Sequence, residues 1–267
     1  MDIGILGFGT LGRALAQGLR SHPRVGRIVA TTRMPRAQSI DMPDVIALTD
    51  NRELASASDV IMLCVKPAQM EAVVREIVEE LRPGMLLVSA AAAIDTTSIR
   101  AWLDDASSKA TLCPIVRAMP NMPCRIGAGM TALAAGPGAN AEHLATVTGL
   151  FEMLGRVCIV EERLMDAVTA ISGCGPAYVY LIIEALAEGG VKLGLARTIA
   201  LELAAQTLHG ASAMVLATGS HPAALKDEVT TPAGCTIDGL LALEDGGLRS
   251  TLVRAVSAAA TRSAQLR

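Results

Sequence analysis

Ile3-Gly4-Ile5-Leu6-Gly7-Phe8-Gly9-Thr10-Leu11-Gly12 is the stretch that decides the fold of the N-terminal half. An apolar strand over residues 2–6 runs directly into a Gly-x-Gly-x-x-Gly turn, and residues 11–20 repeat Leu and Ala at helical spacing. In this context Gly7 permits the tight turn, Gly9 lets the backbone approach a pyrophosphate, and Gly12 lets the helix pack closely on the strand. The N–H groups at the start of the helix favour phosphate. The pattern predicts a dinucleotide site, with a plain strand–helix turn as the alternative.

Strands and helices alternate beyond this turn, which is typical of a parallel sheet with right-handed crossovers. The near-continuous apolar run Asp59–Val65 indicates a buried parallel strand, and helices are predicted over Gln69–Leu81 and residues 141–154. The remaining predicted strands are Arg27–Thr31, Val45–Leu48, Met85–Ser89, Ile115–Met119, Gly129–Ala134 and Val157–Val160. We therefore predict an α/β fold whose N-terminal domain, residues 1–161, is a Rossmann-type doubly wound sheet.

The sequence after residue 161 shows almost no β-like alternation and is rich in Ala, Leu and Ile. Breaks are predicted at Ser172–Pro176, at Gly189-Gly190, at Gly194 and at Ser220–Pro222. The helices between these breaks are apolar on every face, more so than a solvated monomeric bundle should be. We predict an all-helical C-terminal dimerisation domain, residues 162–267, that buries this surface by homo-oligomerisation.

Composition excludes several classes of protein. The 267 residues carry a formal net charge of −3, so the chain lacks the basic field of a nucleic-acid binder. The six cysteines form no Cys-x-x-Cys pair, and the four histidines show no metal spacing, so we expect free thiols and no metal site. Every long apolar run is interrupted, and the start Met1-Asp2 lacks the charged region of a signal peptide. We expect a cytoplasmic protein with no membrane partner.

The end of the second predicted strand bears on the choice of nucleotide. NAD sites usually place Asp or Glu about 20 residues after the glycine turn, where it binds the ribose hydroxyls. Here the segment Ala30–Arg36 contains no acid and offers Thr31, Thr32, Arg33 and Arg36 instead. Hydroxyl and guanidinium groups suit a 2′-phosphate, so we predict a preference for NADPH. A solvated loop is the alternative.

Two further loops follow predicted strands, at Cys64–Pro67 and at Ala90–Ala93. The carboxyl ends of strands in an open α/β sheet are where ligands bind. The small alanines would let a nicotinamide ring lie against the backbone. Lys66 is interpreted as a site residue, although a surface lysine is the alternative.

Several segments together resemble the pyrroline-5-carboxylate reductase family. They are Val65–Pro67, Arg117–Pro123, Ser172–Tyr178, Ala187–Leu195 and, most specifically, Leu225–Asp245, and the resemblance extends essentially from end to end. It implies NAD(P)H-dependent reduction of 1-pyrroline-5-carboxylate to L-proline, the last step of proline biosynthesis. It also implies a helical domain that interlocks into a homodimer, often stacked into larger rings, with the active site between one subunit's Rossmann domain and the partner's helices.

The resemblance also implies where ligands bind. Together with the residues chosen above, the predicted cofactor contacts are Leu6, Gly7, Phe8, Gly9, Thr10, Leu11, Thr32, Arg33, Asn51, Cys64, Val65, Lys66, Pro67, Ala90, Ala91 and Ala92. NADPH is the expected cofactor, with NADH as an alternative. The predicted substrate-binding residues are Thr231, Gly234, Cys235, Met119 and Asn121. The sequence departs from the family pattern at Thr231, where Ser is more frequent, and at Ala233, Cys174 and Met122, which replace Gly, Ser and Thr.

Hydride transfer to a C=N carbon requires a cradle for the substrate carboxylate and a hydrogen-bond partner at the imine nitrogen. The segment Thr230–Thr236 supplies hydroxyls just ahead of a predicted helix, whose first N–H groups suit a carboxylate. We predict Thr236 as the catalytic residue beside the imine nitrogen, with helix capping as the alternative. Asn121 lies between two prolines and could instead only hold a turn.

Two other functions remain open. A Rossmann-plus-helical 3-hydroxyacid dehydrogenase would need a catalytic lysine in the helical domain, for which Lys192 and Lys226 are the candidates. A dinucleotide-sensing or scaffold protein would bind NADPH without turnover. The Thr-Pro-x-Gly-x-Thr loop at Thr231–Thr236 argues against this last alternative.

Overall fold

The computed structural model describes residues 1–32, 42–106 and 113–266. By their contacts these residues form two compact units. One unit comprises Met1–Cys174 together with the C-terminal residues from Ala259 on, and the other comprises Gly175–Ala258. This division falls later in the chain than the domain boundary expected at residues 161–162, which stays a prediction.

The first unit contains an eight-stranded sheet, and each strand lies where the sequence predicts one. The strands are β1 (Ile3–Leu6), β2 (Ile28–Thr31), β3 (Val45–Leu48), β4 (Val60–Leu63), β5 (Leu86–Ser89), β6 (Ile115–Met119), β7 (Gly129–Ala135) and β8 (Gly155–Ile159). Their order is β3-β2-β1-β4-β5-β6-β7-β8. The first six strands have the order of a Rossmann doubly wound sheet, in which the chain reverses direction across the sheet between β1 and β4.

The strand β7 runs antiparallel to β6, with Val116 opposite Ala135 and Met119 opposite Ala132. The predicted parallel sheet therefore contains one antiparallel pair, which the sequence did not indicate. Parallel neighbours need a crossover of a dozen or more residues, usually a helix, whereas antiparallel neighbours can be joined by a short connection. Here the connection holds only a single 3₁₀ turn, Met122–Ile126.

Helices cover both faces of the sheet. They are α1 (Thr10–Leu19), α2 (Asn51–Ser56), α3 (Pro67–Ile77), α4 (Thr96–Ala106), α5 (Ala141–Glu152) and α6 (Met165–Val168). One core contains Leu15 of α1 and Phe151 of α5, and the other contains Leu54, Val74 and Leu103 of α2, α3 and α4. Helices α2 and α4 were not predicted from the sequence. The predicted doubly wound arrangement is confirmed.

The second unit is helical, as predicted. Its helices are α7 (Gly175–Lys192), α8 (Arg197–Thr218), α9 (Pro222–Glu228), α10 (Cys235–Asp245) and α11 (Leu248–Ala264), the last of which continues into the first unit. The break predicted at Gly189-Gly190 is wrong, because α7 runs through both glycines. A Cβ on Gly190 would lie 3.1 Å from the Ala200 Cβ, so this glycine allows α7 and α8 to pack closely.

The two long helices of the second unit bury little of their apolar surface. Among the described residues of α7 and α8, only Ala187, Ala200 and Ala204 are buried hydrophobics, whereas Leu181 and Leu203 are 65% and 53% exposed. By length and composition the stretches Glu162–Lys192 and Arg197–Thr218 could each cross a membrane. A single chain therefore leaves a large apolar helical surface uncovered.

Candidate active site

A cleft of about 610 Å³ lies at the carboxyl ends of β1 to β4. It spans the point where the strand order reverses, which is where open α/β sheets bind their ligands. The predicted cofactor residues that line it are Gly7, Phe8, Gly9, Thr32, Asn51, Cys64, Val65 and Lys66. The dinucleotide turn and the loop after β4 are thus brought together in one cavity.

The glycine turn is shaped for a phosphate. Gly7 has a φ of +97°, and a Cβ there would lie 2.9 Å from the carbonyl oxygen of Cys64. A Cβ on Gly9 would meet no described atom within 4 Å, so the space in front of it is open. Gly9 is also the N-cap of α1, which has no acidic residue in its first turn and, in the described chain, no side-chain cap. Free N–H groups and the positive end of the helix dipole therefore face this space. These residues fit a dinucleotide pyrophosphate.

Other predicted cofactor residues lie beside the cleft rather than in its lining. The Leu6 side chain is fully buried in the core, and its carbonyl accepts a hydrogen bond of 2.8 Å from the Cys64 N–H. Thr10 and Leu11 form the first turn of α1, and Pro67 is the first residue of α3. Arg33 falls in the segment 33–41, outside the described residues.

The predicted loop Ala90–Ala92 follows β5 directly. The Ala90 N–H donates to the Leu63 carbonyl at 3.1 Å, and Ala91 is buried. The next residue, Ala93, has a φ of +64°, which is unusual for a side chain with a Cβ. None of these alanines lines the cleft of about 610 Å³. Their contact with a cofactor stays a prediction.

One end of the cleft carries hydroxyl and amide groups without a carboxylate. Thr31, Thr32, Thr49 and Asn51 lie there, and the described lining contains no Asp or Glu. The lining residues that sequence reasoning missed are Thr49, Gln69 and Val73, whereas Thr31 is one of the hydroxyls expected near a 2′-phosphate. Gln69 and Val73 are four residues apart on the predicted amphipathic helix, so their shared face was a usable signal. Thr31 ends a predicted strand, and Thr49 directly follows one.

The thiol of Cys64 is held neutral in this cleft. Burial, and to a smaller extent the neighbouring Cys124, raise the pKa of Cys64 to about 12. A thiolate beside the glycine turn would repel a pyrophosphate, and the raised pKa keeps that negative charge away even at alkaline pH.

Where a break is predicted at Ser172–Pro176, the chain forms a turn of π-helix over Thr169–Gly173 just before α7 begins. The Cys174 N–H donates to the Thr169 carbonyl, five residues back, at 2.8 Å. A Cβ on Gly173 would lie 2.8 Å from the Met119 methyl, so the glycine lets this turn rest on the end of β6. Turns of π-helix are frequent at functional sites. Met119, predicted to face the substrate, therefore lies against the π-turn.

The carboxamide of Asn121 joins three segments. Its Oδ1 accepts from the Met130 N–H at 2.9 Å, and its Nδ2 donates to the Ser172 carbonyl at 3.2 Å and to the Ser172 hydroxyl at 3.3 Å. These bonds support a structural role, broader than the turn between two prolines that was the alternative. Contact of Asn121 with substrate stays a prediction.

The predicted substrate loop lies in the second unit, at the start of α10. The Gly234 N–H donates to the Thr231 carbonyl at 3.0 Å, which closes a turn in which Ala233 has a φ of +55°. Gly234 is the N-cap of α10, and no described side chain caps this helix. Cys235 and Thr236 are its first two residues, so Thr236 does not act as the cap. The free N–H groups at this end suit a carboxylate.

A buried ion pair that the sequence did not indicate connects β6 to Glu162, which follows β8. Arg117 on β6 is 1% exposed, and its Nη1 lies 3.3 Å from Glu162 Oε1. Glu162 also accepts from the N–H and hydroxyl of Thr96 at the start of α4, at 2.8 and 2.5 Å. Within the described chain, Arg117 Nε and Nη2 have no hydrogen-bond partner. Arg117 lies in the segment Arg117–Pro123 that resembles the family, and no local sequence signal indicates its pairing with Glu162.

The lysines required for a hydroxyacid dehydrogenase are not arranged as a catalytic site. Lys226, one candidate lysine for a hydroxyacid dehydrogenase, pairs with its neighbour Asp227 at 2.7 Å, and Lys192 lies exposed at the end of α7. In the portion of the chain that the structure describes, no three His, Cys, Asp or Glu residues are arranged to hold a metal ion.

Comparison with known proteins identifies the family. Residues 162–266 match the family model described as pyrroline-5-carboxylate reductase dimerisation, and residues 2–93 match the one described as NADP oxidoreductase, coenzyme F420-dependent. A pyrroline-5-carboxylate reductase of Glycine max is 39% identical over 268 residues, covering 99% of this chain and 95% of that protein. The chain belongs to the pyrroline-5-carboxylate reductase family.

Other members of the pyrroline-5-carboxylate reductase family agree in sequence and fold. The enzyme of Synechocystis is 44% identical over 218 residues, covering 81% of this chain and 78% of that protein. The crystal structure of the Plasmodium falciparum enzyme with NADP bound has a TM-score of 0.87 at 31% identity, and the match covers 100% of this chain and 98% of that chain. The predicted family and the predicted fold class are therefore confirmed, and the chain is an oxidoreductase of this family.

Proposed function

We propose that the protein catalyses the NAD(P)H-dependent reduction of 1-pyrroline-5-carboxylate to L-proline, the last step of proline biosynthesis. The observation that carries the proposal is the glycine turn packed against Cys64, which leaves open space in front of Gly9. It occurs in a chain 39% identical along its length to a named pyrroline-5-carboxylate reductase. The two observations concern different halves of the reaction, the hydride donor and the acceptor.

The cofactor side is assigned to the first unit. When bound, the reduced nicotinamide supplies the hydride. Gly7 to Gly9 and the first N–H groups of α1 would hold the pyrophosphate. Asn51 would hold the adenosine ribose, and Thr32, with Arg33 from the sequence, would hold its 2′-phosphate, which favours NADPH over NADH. Lys66 and Ala90–Ala92 would complete the cofactor contacts.

The substrate side is assigned to the loop before α10. Thr231, Gly234 and Cys235 would cradle the substrate carboxylate, aided by the uncapped N–H groups of the helix. The Thr236 hydroxyl would donate a hydrogen bond at the imine nitrogen and assist its protonation, directly or through water. Met119 and Asn121 would line the nicotinamide side.

Assembly is proposed as a homodimer or a larger ring of dimers in the cytoplasm, with no nucleic-acid or membrane partner. The matched dimerisation model and the exposed apolar faces of α7 and α8 support this. A second copy would cover these faces, which would otherwise be left to water or lipid.

The proposal is tested by removing the Thr236 hydroxyl, which is assigned to the imine nitrogen. Thr236→Ala should lower kcat with 1-pyrroline-5-carboxylate by about 100-fold or more and leave the Kd for NADPH unchanged. Thr218→Ala is the matched control, because the Thr218 hydroxyl bonds only to local backbone at the end of α8, the Met214 carbonyl and the Ser220 N–H. A Thr236→Ala enzyme with the kcat of the unaltered protein would remove Thr236 from catalysis.

A further inference from the structure

A carboxylate is bonded to the amide that lines the cofactor cleft. Glu76 Oε2 accepts a hydrogen bond of 2.8 Å from Asn51 Nδ2. Asn51 is the first residue of α2 and lines the cleft, whereas Glu76 lies in the last turn of α3 and is absent from the lining. The backbone of Glu76 is tied to the same helix, since Arg52 Nε donates to its carbonyl at 3.1 Å.

This bond changes what the cleft can offer a nucleotide. A phosphate needs hydrogen-bond donors, and Glu76 uses one of the N–H groups of the Asn51 amide. The Asn51 oxygen accepts only, so it suits a ribose hydroxyl rather than a phosphate. A phosphate monoester carries a charge of about −1.5 to −2 near neutral pH, and a carboxylate one side chain away repels it. Both effects act against a 2′-phosphate.

We propose that Glu76, acting through Asn51, is a specificity-determining positioning residue that weakens binding of the 2′-phosphate and keeps NADH usable. The inference rests on the proposed cofactor function of the cleft. Thr31, Thr32 and Thr49 offer hydroxyls to the phosphate of NADPH, and Glu76 opposes it. The balance between the two nucleotides is therefore set by α3 as well as by the end of β2.

A purely structural role for Glu76 makes a different prediction. If the bond to Asn51 only held α2 against α3, its loss would weaken binding of both nucleotides equally. Glu80 provides the matched control, because its Oε2 accepts from the Ser56 hydroxyl at 2.9 Å and so links α2 to the residues just after α3. Glu80→Gln removes the same charge from the same surface without touching Asn51.

The test compares two nucleotide fragments that differ only in the 2′-phosphate, adenosine 2′,5′-bisphosphate and 5′-AMP. Their Kd values would be measured by titration calorimetry on the full chain. We expect Glu76→Gln to raise the preference for the bisphosphate about three- to fivefold, as for charges several ångströms apart in water. Glu76→Ala should do at least as much because it also frees the Asn51 N–H. At about 0.5 M salt, Glu76→Gln should leave the preference for the bisphosphate over 5′-AMP nearly unchanged, because salt screens the repulsion.

Two results would overturn the inference. One is an unchanged or lower preference for the bisphosphate in both Glu76 variants. The other is an equal gain in Glu80→Gln, which would assign the effect to net charge. No imine substrate is present in this experiment, so a failure to reduce 1-pyrroline-5-carboxylate would be detected separately.

Discussion

Gly7 and Cys64 are in backbone contact, so that a Cβ on Gly7 would lie 2.9 Å from the Cys64 carbonyl oxygen. The contact joins the end of β1 to the end of β4 at the point where the strand order reverses. Gly9, two residues later, has open space where its Cβ would be. One glycine therefore shapes the turn, and the other gives a ligand access to it.

Replacing Gly7 or Gly9 by alanine should have different effects on stability and on NADPH affinity. Gly7→Ala is expected to lower Tm and abolish NADPH binding, because both the steric contact and the φ of +97° oppose a side chain. Gly9→Ala should keep Tm within about 2 °C and weaken NADPH binding about tenfold or more, because its methyl occupies the pyrophosphate space. Thermal melts and fluorescence titration would measure both. A Gly7→Ala protein with unaltered Tm and affinity would contradict the assignment.

Loss of Glu162, the partner of the buried Arg117, should lower stability. Glu162→Gln leaves the charge of Arg117, which is 1% exposed, without its partner, so the free energy of unfolding should fall by about 2–3 kcal/mol. Glu161→Gln is the adjacent control, since Glu161 pairs with Arg163 on the surface and should change stability by about 0.5 kcal/mol or less. Urea unfolding would measure the difference. Equal effects of the two substitutions would show that the buried pair is not stabilising.

Replacing Ala233 by glycine should maintain or raise the stability of the protein. Its φ of +55° costs an alanine about 1 kcal/mol, and relief of that strain offsets the greater freedom of glycine in the unfolded chain. Ala233→Gly should therefore leave Tm unchanged or raise it. Ala242→Gly, in the exposed interior of α10, should cost about 1 kcal/mol. Calorimetric melts that showed equal losses for both variants would contradict this expectation.

Cys64 should make the protein sensitive to alkali. Its pKa is raised by burial from an ordinary value of 9.0 to about 12, so the unfolded chain loses the proton first as the pH rises. The stabilisation is complete below pH 9.0 and is lost progressively as the pH rises towards 12. Between about pH 8 and 10.5, the unaltered protein should lose roughly 1–2 kcal/mol more stability than Cys64→Ala. An identical pH dependence of urea unfolding in the two proteins would contradict the raised pKa.

The strands could be predicted from the sequence because buried parallel strands are short apolar runs bounded by turns. The predicted run Asp59–Val65, for example, contains β4 at Val60–Leu63. The antiparallel direction of β7 could not be predicted, because apolar runs do not encode direction. The misassigned break at Gly189-Gly190 has a similar cause. Glycine signals a turn and a close helix contact alike, and only packing against Ala200 distinguishes them.

The candidate site was predicted as far as its local motifs extend. The glycine turn and the loop after β4 carry their own signals, and they line one cleft. The hydrogen bonds and ion pairs that support the site have no such local signal in the sequence. Arg117 and Glu162 lie 45 residues apart, and Asn51 and Glu76 lie 25 apart, with nothing nearby that links them. Such pairs depend on the register of packed helices and strands, which exists only in the folded chain.

The most direct test of the central claim is a steady-state assay of the unaltered protein with NADPH. We expect rapid, saturable NADPH oxidation with 1-pyrroline-5-carboxylate, with one L-proline formed per NADPH consumed. No comparable rate should appear for 3-hydroxyacids with NADP⁺. NADPH binding without oxidation by 1-pyrroline-5-carboxylate, or faster turnover of a 3-hydroxyacid, would contradict the account.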